Sequence, residues 1–117
     1  MQRTAKLGGF WALVLATALS ACSGPSSTVT PEEARTLVKA GATLLDVRSP
    51  GEWTQSHIEG AVLVPIDQIS ARMAEISRDR PVVVYCASGG RSAAGTAALR
   101  SAGYDARDLG AMSRWYQ

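Results

Sequence analysis

The sequence predicts one small α/β domain, a mostly parallel sheet covered by helices on both faces. Three observations predict it. Thr43-Leu44-Leu45-Asp46-Val47 and Pro81-Val82-Val83-Val84-Tyr85 are apolar runs of strand length, too continuous for strands with one wet face, and so read as buried on both sides. Helical patterns alternate with these runs, the order that parallel pairing requires. A chain of 117 residues, 46% apolar and 19% charged, has room for one such domain and not two.

The first segment reads as a targeting element and not as part of the fold. Met1 to Cys22 carries Arg3 and Lys6, then an apolar run of 13 positions from Leu7 to Leu19, then small residues, which is a secretory layout. A permanent membrane span needs about 20 apolar residues, so this run is too short to anchor the chain. Leu19-Ser20-Ala21-Cys22 resembles the bacterial lipobox, in which an obligatory cysteine is acylated before cleavage in front of it. The resemblance implies that residues 1–21 are removed and that a lipid-anchored Cys22 begins the mature protein. The domain would then face the periplasm or the cell exterior from the cell membrane or the outer membrane. Ser23 after the cysteine, where Asp would retain it, favours onward sorting in a host with two membranes. Residues 22–29 are a short tether of small residues that keeps the domain close to the bilayer.

Removing residues 1–21 leaves ten basic against ten acidic side chains, so the mature domain is formally neutral. Nothing then argues for nucleic acid, which would want a basic face, and membrane attachment is expected to rest on lipid, not on a polybasic patch. With Cys22 acylated, Cys86 has no intramolecular partner in an oxidising compartment, which marks it as a residue kept for its chemistry.

The domain, residues 30–117, opens on Thr30-Pro31-Glu32-Glu33, a capping box with proline in the first turn. Ala34, Leu37 and Val38 form the helix's apolar face and Gly41 its stop. The Thr43–Val47 strand leads into a loop through Ser49, Pro50 and Gly51 to Gly60. Ala61-Val62-Leu63-Val64 is a second strand before Pro65. Ile66, Ile69, Met73 and Ile76 recur at spacings of three and four, predicting one helix over 66–76 with Asp67 as its cap. Pro81 opens the clearest strand, which ends at Cys86. Ser92 to Ala102 reads as a helix despite Gly95 and is ended by Gly103. Ala106–Leu109 is a last short strand, and Met112–Tyr116 a helical turn.

In parallel sheets sites gather at the carboxyl ends of strands, and Cys86 stands at one. The loop Cys86-Ala87-Ser88-Gly89-Gly90-Arg91 and then Ser92 bring small residues and a helix start after the thiol. Backbone N–H groups can converge on the sulfur there, the helix N-terminus adds partial positive charge, and Arg91 adds a cation. Together they favour the nucleophilic thiolate and would hold an anionic donor or a persulfide.

These residues, with Asp46-Val47-Arg48, Glu52-Trp53, His57-Ile58-Glu59-Gly60-Ala61, Pro65, Tyr85-Cys86, Gly103-Tyr104, Leu109-Gly110 and Trp115 in order, resemble the rhodanese-like sulfurtransferase domain from residue 30 to the end. The resemblance implies a rhodanese-like fold and sulfane-sulfur transfer through a Cys86 persulfide. The donor would be thiosulfate or a protein persulfide and the acceptor a thiol or cyanide. No cofactor or metal is implied, and a monomer is expected. A six-residue loop is the sulfurtransferase length; the related phosphatases carry one residue more. Arg91 is the lone basic residue of the loop, so thiosulfate is expected to be a poor donor. Ser56 and Ala111 stand where the family usually has glycine.

The resemblance also assigns roles. Cys86 and Arg91 are catalytic, and Ala87, Ser88, Gly89, Gly90, Arg91 and Ser92 bind substrate. Ser88 and Ser92 either donate to the sulfur or cap the helix. Asp46, Arg48, Glu52 and His57 support the loop, with Asp46 and Arg48 joined by an ion pair that Glu52 would extend. Trp53 and Trp115 belong to core or lid. A non-catalytic module that binds a partner or carries sulfur is the competing reading.

Overall fold

The structure is a computed structural model in which residues 26–117 are described. The leader, Cys22 and the beginning of the tether lie outside the described residues. Four helices and four strands follow in the order α1 (Pro31–Lys39), β1 (Thr43–Asp46), α2 (Pro50–Gln55), β2 (Val62–Leu63), α3 (Ile69–Arg72), β3 (Val82–Cys86), α4 (Gly90–Ser101) and β4 (Ala106–Ala111). Short 3₁₀ turns at 66–68 and 73–75 flank α3, and a third, Met112–Tyr116, closes the chain.

The sheet is parallel throughout, with strand order β2-β1-β3-β4. Its central strand β3 is buried along its whole length because Val82, Val83 and Val84 face packed layers on both sides. On one face Leu45, Val82, Val84 and Cys86 pack with Ile69, Ile76, Leu99 and Tyr104 from the α3–α4 side. On the other, Leu44, Val83, Tyr85 and Leu109 pack with Ala34, Ile58 and the partly buried Leu37 and Trp115. An irregularity in the β3–β4 ladder leaves Leu109 without a partner, and Gly110 takes φ +93° there, a conformation glycine adopts without strain. The segment before α1 adds a single parallel bridge, Thr28 to Asp108, at the free edge of β4.

Several expectations change. The 66–76 stretch is not one helix: Gln68 (φ −111°, ψ 0°) and Arg72 (φ −112°, ψ 11°) break it into a 3₁₀ turn, one α turn and a second 3₁₀ turn. The spacings already differ, three from Ile66 to Ile69, four to Met73 and three to Ile76, and a spacing of three is the 3₁₀ period. All four side chains still reach the core. Asp67 makes no capping bond. The supposed loop after β1 contains α2, started by a capping box of Ser49 and Glu52 with Pro50 in the first turn. Strand 2 shrinks to Val62–Leu63, α4 begins two residues earlier at Gly90, and β4 runs on to Ala111.

Candidate active site

Strand β3 delivers Cys86 to the carboxyl edge of the sheet, and the chain then turns through Ala87, Ser88 and Gly89 into α4. Gly89 has φ +115°, and its N–H donates to Cys86 Sγ at 2.9 Å. Gly89 has no side chain to cap α4, so the sulfur serves as acceptor, with the N–H groups of Ser88 and Ser92 also hydrogen-bonded to it. The Ser92 hydroxyl donates to Gly89 O at 3.0 Å and is also within hydrogen-bond reach of the sulfur; its single proton has two acceptors. Of the two roles left open for Ser92, the hydroxyl takes the one at the sulfur and does not cap the helix, while Ser88 acts through its backbone. Ala87, Ser88 and Gly90 are exposed and Ser92 is buried.

Cys86 has no exposed surface. Burial pushes its thiol pKa up, but the hydrogen bonds from the Ser92 hydroxyl and from the N–H groups of Ser92, Gly89 and Ser88 outweigh that, and the thiol lies below its ordinary value.

Arg91 stands differently from the expectation of a cation aimed at the sulfur or its donor. Its Nη1 and Nη2 donate to the two carboxylate oxygens of Glu52 at 2.7 and 3.0 Å, a bidentate pair between α4 and α2. Arg91 still feels the charge on Cys86, but Glu52 is its principal partner. Glu52 is thereby held at a pKa of about 2, chiefly by Arg91 and next by the Ser49 N–H, against a small opposing effect of burial. Glu52 thus pairs directly with Arg91 and reaches the Asp46–Arg48 pair only through its charge on Arg48.

That pair itself is present and buried. Arg48 donates from its backbone N, Nε and Nη2 to Asp46, with Nη2–Oδ2 at 2.6 Å, and Nη2 also reaches Ser56 O at 2.8 Å. It ties the end of β1 to the end of α2 and so positions Glu52. His57 donates from Nδ1 to Trp53 O at 2.9 Å and stacks on the Trp53 ring, 3.5 Å between centroids; both are local to α2. Ser56 has φ −173° and Ala111 φ −69°, extended backbone open to any residue, so neither position requires glycine.

Two further residues, Tyr85 and Ser49, support the site. Tyr85, fully buried, accepts from Ile58 N through its hydroxyl and hydrogen-bonds Asp46, while the Arg48 guanidinium lies 5.6 Å from its ring centroid. Burial, then Asp46, push its phenol pKa up. Ser49 donates from N and Oγ to Glu52 Oε1 at 3.1 and 3.0 Å. The capping pattern Ser49-Pro50-Gly51-Glu52 is the signal that finds Ser49; only its place before Cys86 marks Tyr85.

The chain matches the rhodanese-like domain model over residues 30–117. It is 40% identical over 89 residues to the probable adenylyltransferase/sulfurtransferase MoeZ of Mycobacterium tuberculosis, covering 73% of this chain and 23% of that protein. A sulfurtransferase of Allochromatium vinosum is 46% identical over 61 residues, 52% of this chain and 57% of that one. The chain therefore spans about a quarter of the first relative's length and somewhat more than half of the second's. Among solved structures, the human single-domain sulfurtransferase TSTD1 superposes with a TM-score of 0.65 at 32% identity, covering 79% of this chain and 96% of that one. A match that runs unbroken from the cap of α1 to the last residue makes this chain a member of the rhodanese-like domain family.

Proposed function

We propose that the chain is a sulfurtransferase that carries sulfane sulfur on Cys86 and is tethered to the membrane through an acylated Cys22. The observation that carries the transferase reading is the convergence of the Gly89, Ser88 and Ser92 N–H groups on one buried sulfur at the start of α4. Such a cradle holds negative charge on the sulfur before, during and after transfer.

In the first half-reaction the Cys86 thiolate attacks the sulfane sulfur of a persulfide or of thiosulfate. A bond forms between Sγ and that sulfur, the donor's S–S bond breaks, and the donor leaves as thiolate or sulfite. In the second, an acceptor thiolate or cyanide attacks the outer sulfur and Cys86 departs as thiolate. Each electron pair stays with its leaving sulfur, and no external oxidant or reductant takes part. The Ser92 hydroxyl, free to turn between Gly89 O and the sulfur, follows the charge as it comes and goes. Between turnovers a thiolate in an exported protein needs a reductant or rapid re-loading with sulfur to escape oxidation.

The tether rests on Leu19-Ser20-Ala21-Cys22 and the apolar run before it. The transferase reading predicts that Cys86→Ser abolishes sulfur transfer to cyanide or a thiol while thermal unfolding stays cooperative. Transfer retained by that variant excludes Cys86 as the carrier.

A further inference from the structure

Arg91 is the lone cation in the loop, and its guanidinium is engaged at both ends by Glu52. Glu52 is itself fixed: Oε1 also accepts from Ser49 N and Oγ, so the carboxylate cannot turn away without undoing the cap of α2. The other charged pair nearby, Asp46 with Arg48, is buried and self-compensating. The charges on these four side chains sum to zero, which leaves the loop's N–H groups as the attraction for a donor.

Resting on the transferase reading above, we propose that Glu52 is a specificity-determining residue that neutralises Arg91. The site then takes persulfides, which bring at most one charge to the sulfur, in preference to the thiosulfate dianion. A doubly charged donor gains from a free cation and meets repulsion from the Glu52 carboxylate, whereas a persulfide is held well enough by backbone donors. Glu52 is a positioning residue in this account, acting through Arg91. The pair is 37% and 34% exposed, so solvent screens it and the effect is modest.

Glu52→Gln tests this, because glutamine also completes a capping box while removing the charge. In the full domain the ratio of kcat/KM for thiosulfate to that for cysteine persulfide is expected to rise about two- to fivefold, the scale of one exposed charge pair. Most of the change should lie in KM for thiosulfate. The pH midpoint of Cys86 alkylation by iodoacetamide should fall at the same time, since Arg91 then faces the thiolate uncompensated; adding Arg91→Gln to the variant should cancel both changes. An unchanged ratio overturns the selectivity role, with or without a moved midpoint. A wild-type domain that accepts sulfur from neither donor overturns the transferase reading instead, and the two failures are told apart by the wild-type activity alone.

Discussion

Ser92 shows at the scale of one residue how the sulfur is tuned. It is fully buried in the first turn of α4, and its hydroxyl serves both Gly89 O and the Cys86 sulfur. Ser92→Ala removes a donor that favours the thiolate, so the pH midpoint of Cys86 alkylation should move up, and stability should fall by about 1 kcal/mol. An alkylation profile and a urea titration on the same variant check both. Glu52 contributes a pH-dependent share of stability that an unpaired carboxylate would not. Its folded pKa of about 2 lies below the ordinary carboxylate value, so its contribution to stability is full above that value and is lost as pH falls through about 2. The stability difference between wild type and Glu52→Gln should therefore shrink on acidification across that window. Cys86 and its cradle are legible in the sequence because an apolar strand ends at the thiol and small residues follow. The partner of Arg91 is not legible: it stands 39 positions away, and the pairing depends on the direction of α2, a helix whose sequence reads as a loop.

Among elements, α1 and α2 start the same way, on Thr30-Pro31 with Glu33 and on Ser49-Pro50 with Glu52. The first is readable because an apolar face follows it; the second is masked by Gly51 and by the brevity of six residues with no buried side chain. The α2 segment, with no fully buried side chain, is held at its end by Arg48, which Asp46 fixes, and along its length by the Arg91–Glu52 pair to α4. Asp46→Asn strands a buried guanidinium and should cost about 3 kcal/mol in chemical denaturation. Gly95, a break in the helical pattern on paper, is where α4 lies against the sheet: a Cβ there stands 3.4 Å from Val47 Cγ1 and 3.5 Å from Ile66 Cδ1. Gly95→Leu should force α4 outward at a cost of roughly 1–3 kcal/mol, read as a lower midpoint of thermal unfolding.

For the whole molecule, the parallel sheet separates two ends. Thr28 runs parallel to β4 beside Asp108, so the chain enters from the amino end of the strands, while Cys86 pairs with Ala111 at the carboxyl end. Cys22 stands four positions before Ser26, a reach of no more than about 14 Å. In the proposed tethered form the point of attachment and the Cys86 loop therefore lie at opposite ends of the sheet. A water-soluble maleimide should then label Cys86 of membrane-bound protein as fast as Cys86 of the free domain, and Cys22→Ser should move the protein out of the membrane fraction. The parallel pairing and the two covering layers follow from apolar runs buried on both faces; the strand order and the bridge at Thr28, which set the chain direction at the sheet edge, are announced by no sequence pattern.

Intact mass spectrometry of the domain lacking Cys22, before and after exposure to thiosulfate and, separately, to a persulfide donor, shows whether Cys86 carries the transferred sulfur. The wild-type domain should gain one sulfur atom that cyanide or a thiol removes and that persulfide loads more readily than thiosulfate, and Cys86→Ser should never acquire it. A domain that gains no sulfur from either donor contradicts the carrier role of Cys86 and leaves a rhodanese-like module that binds a partner without carrying sulfur.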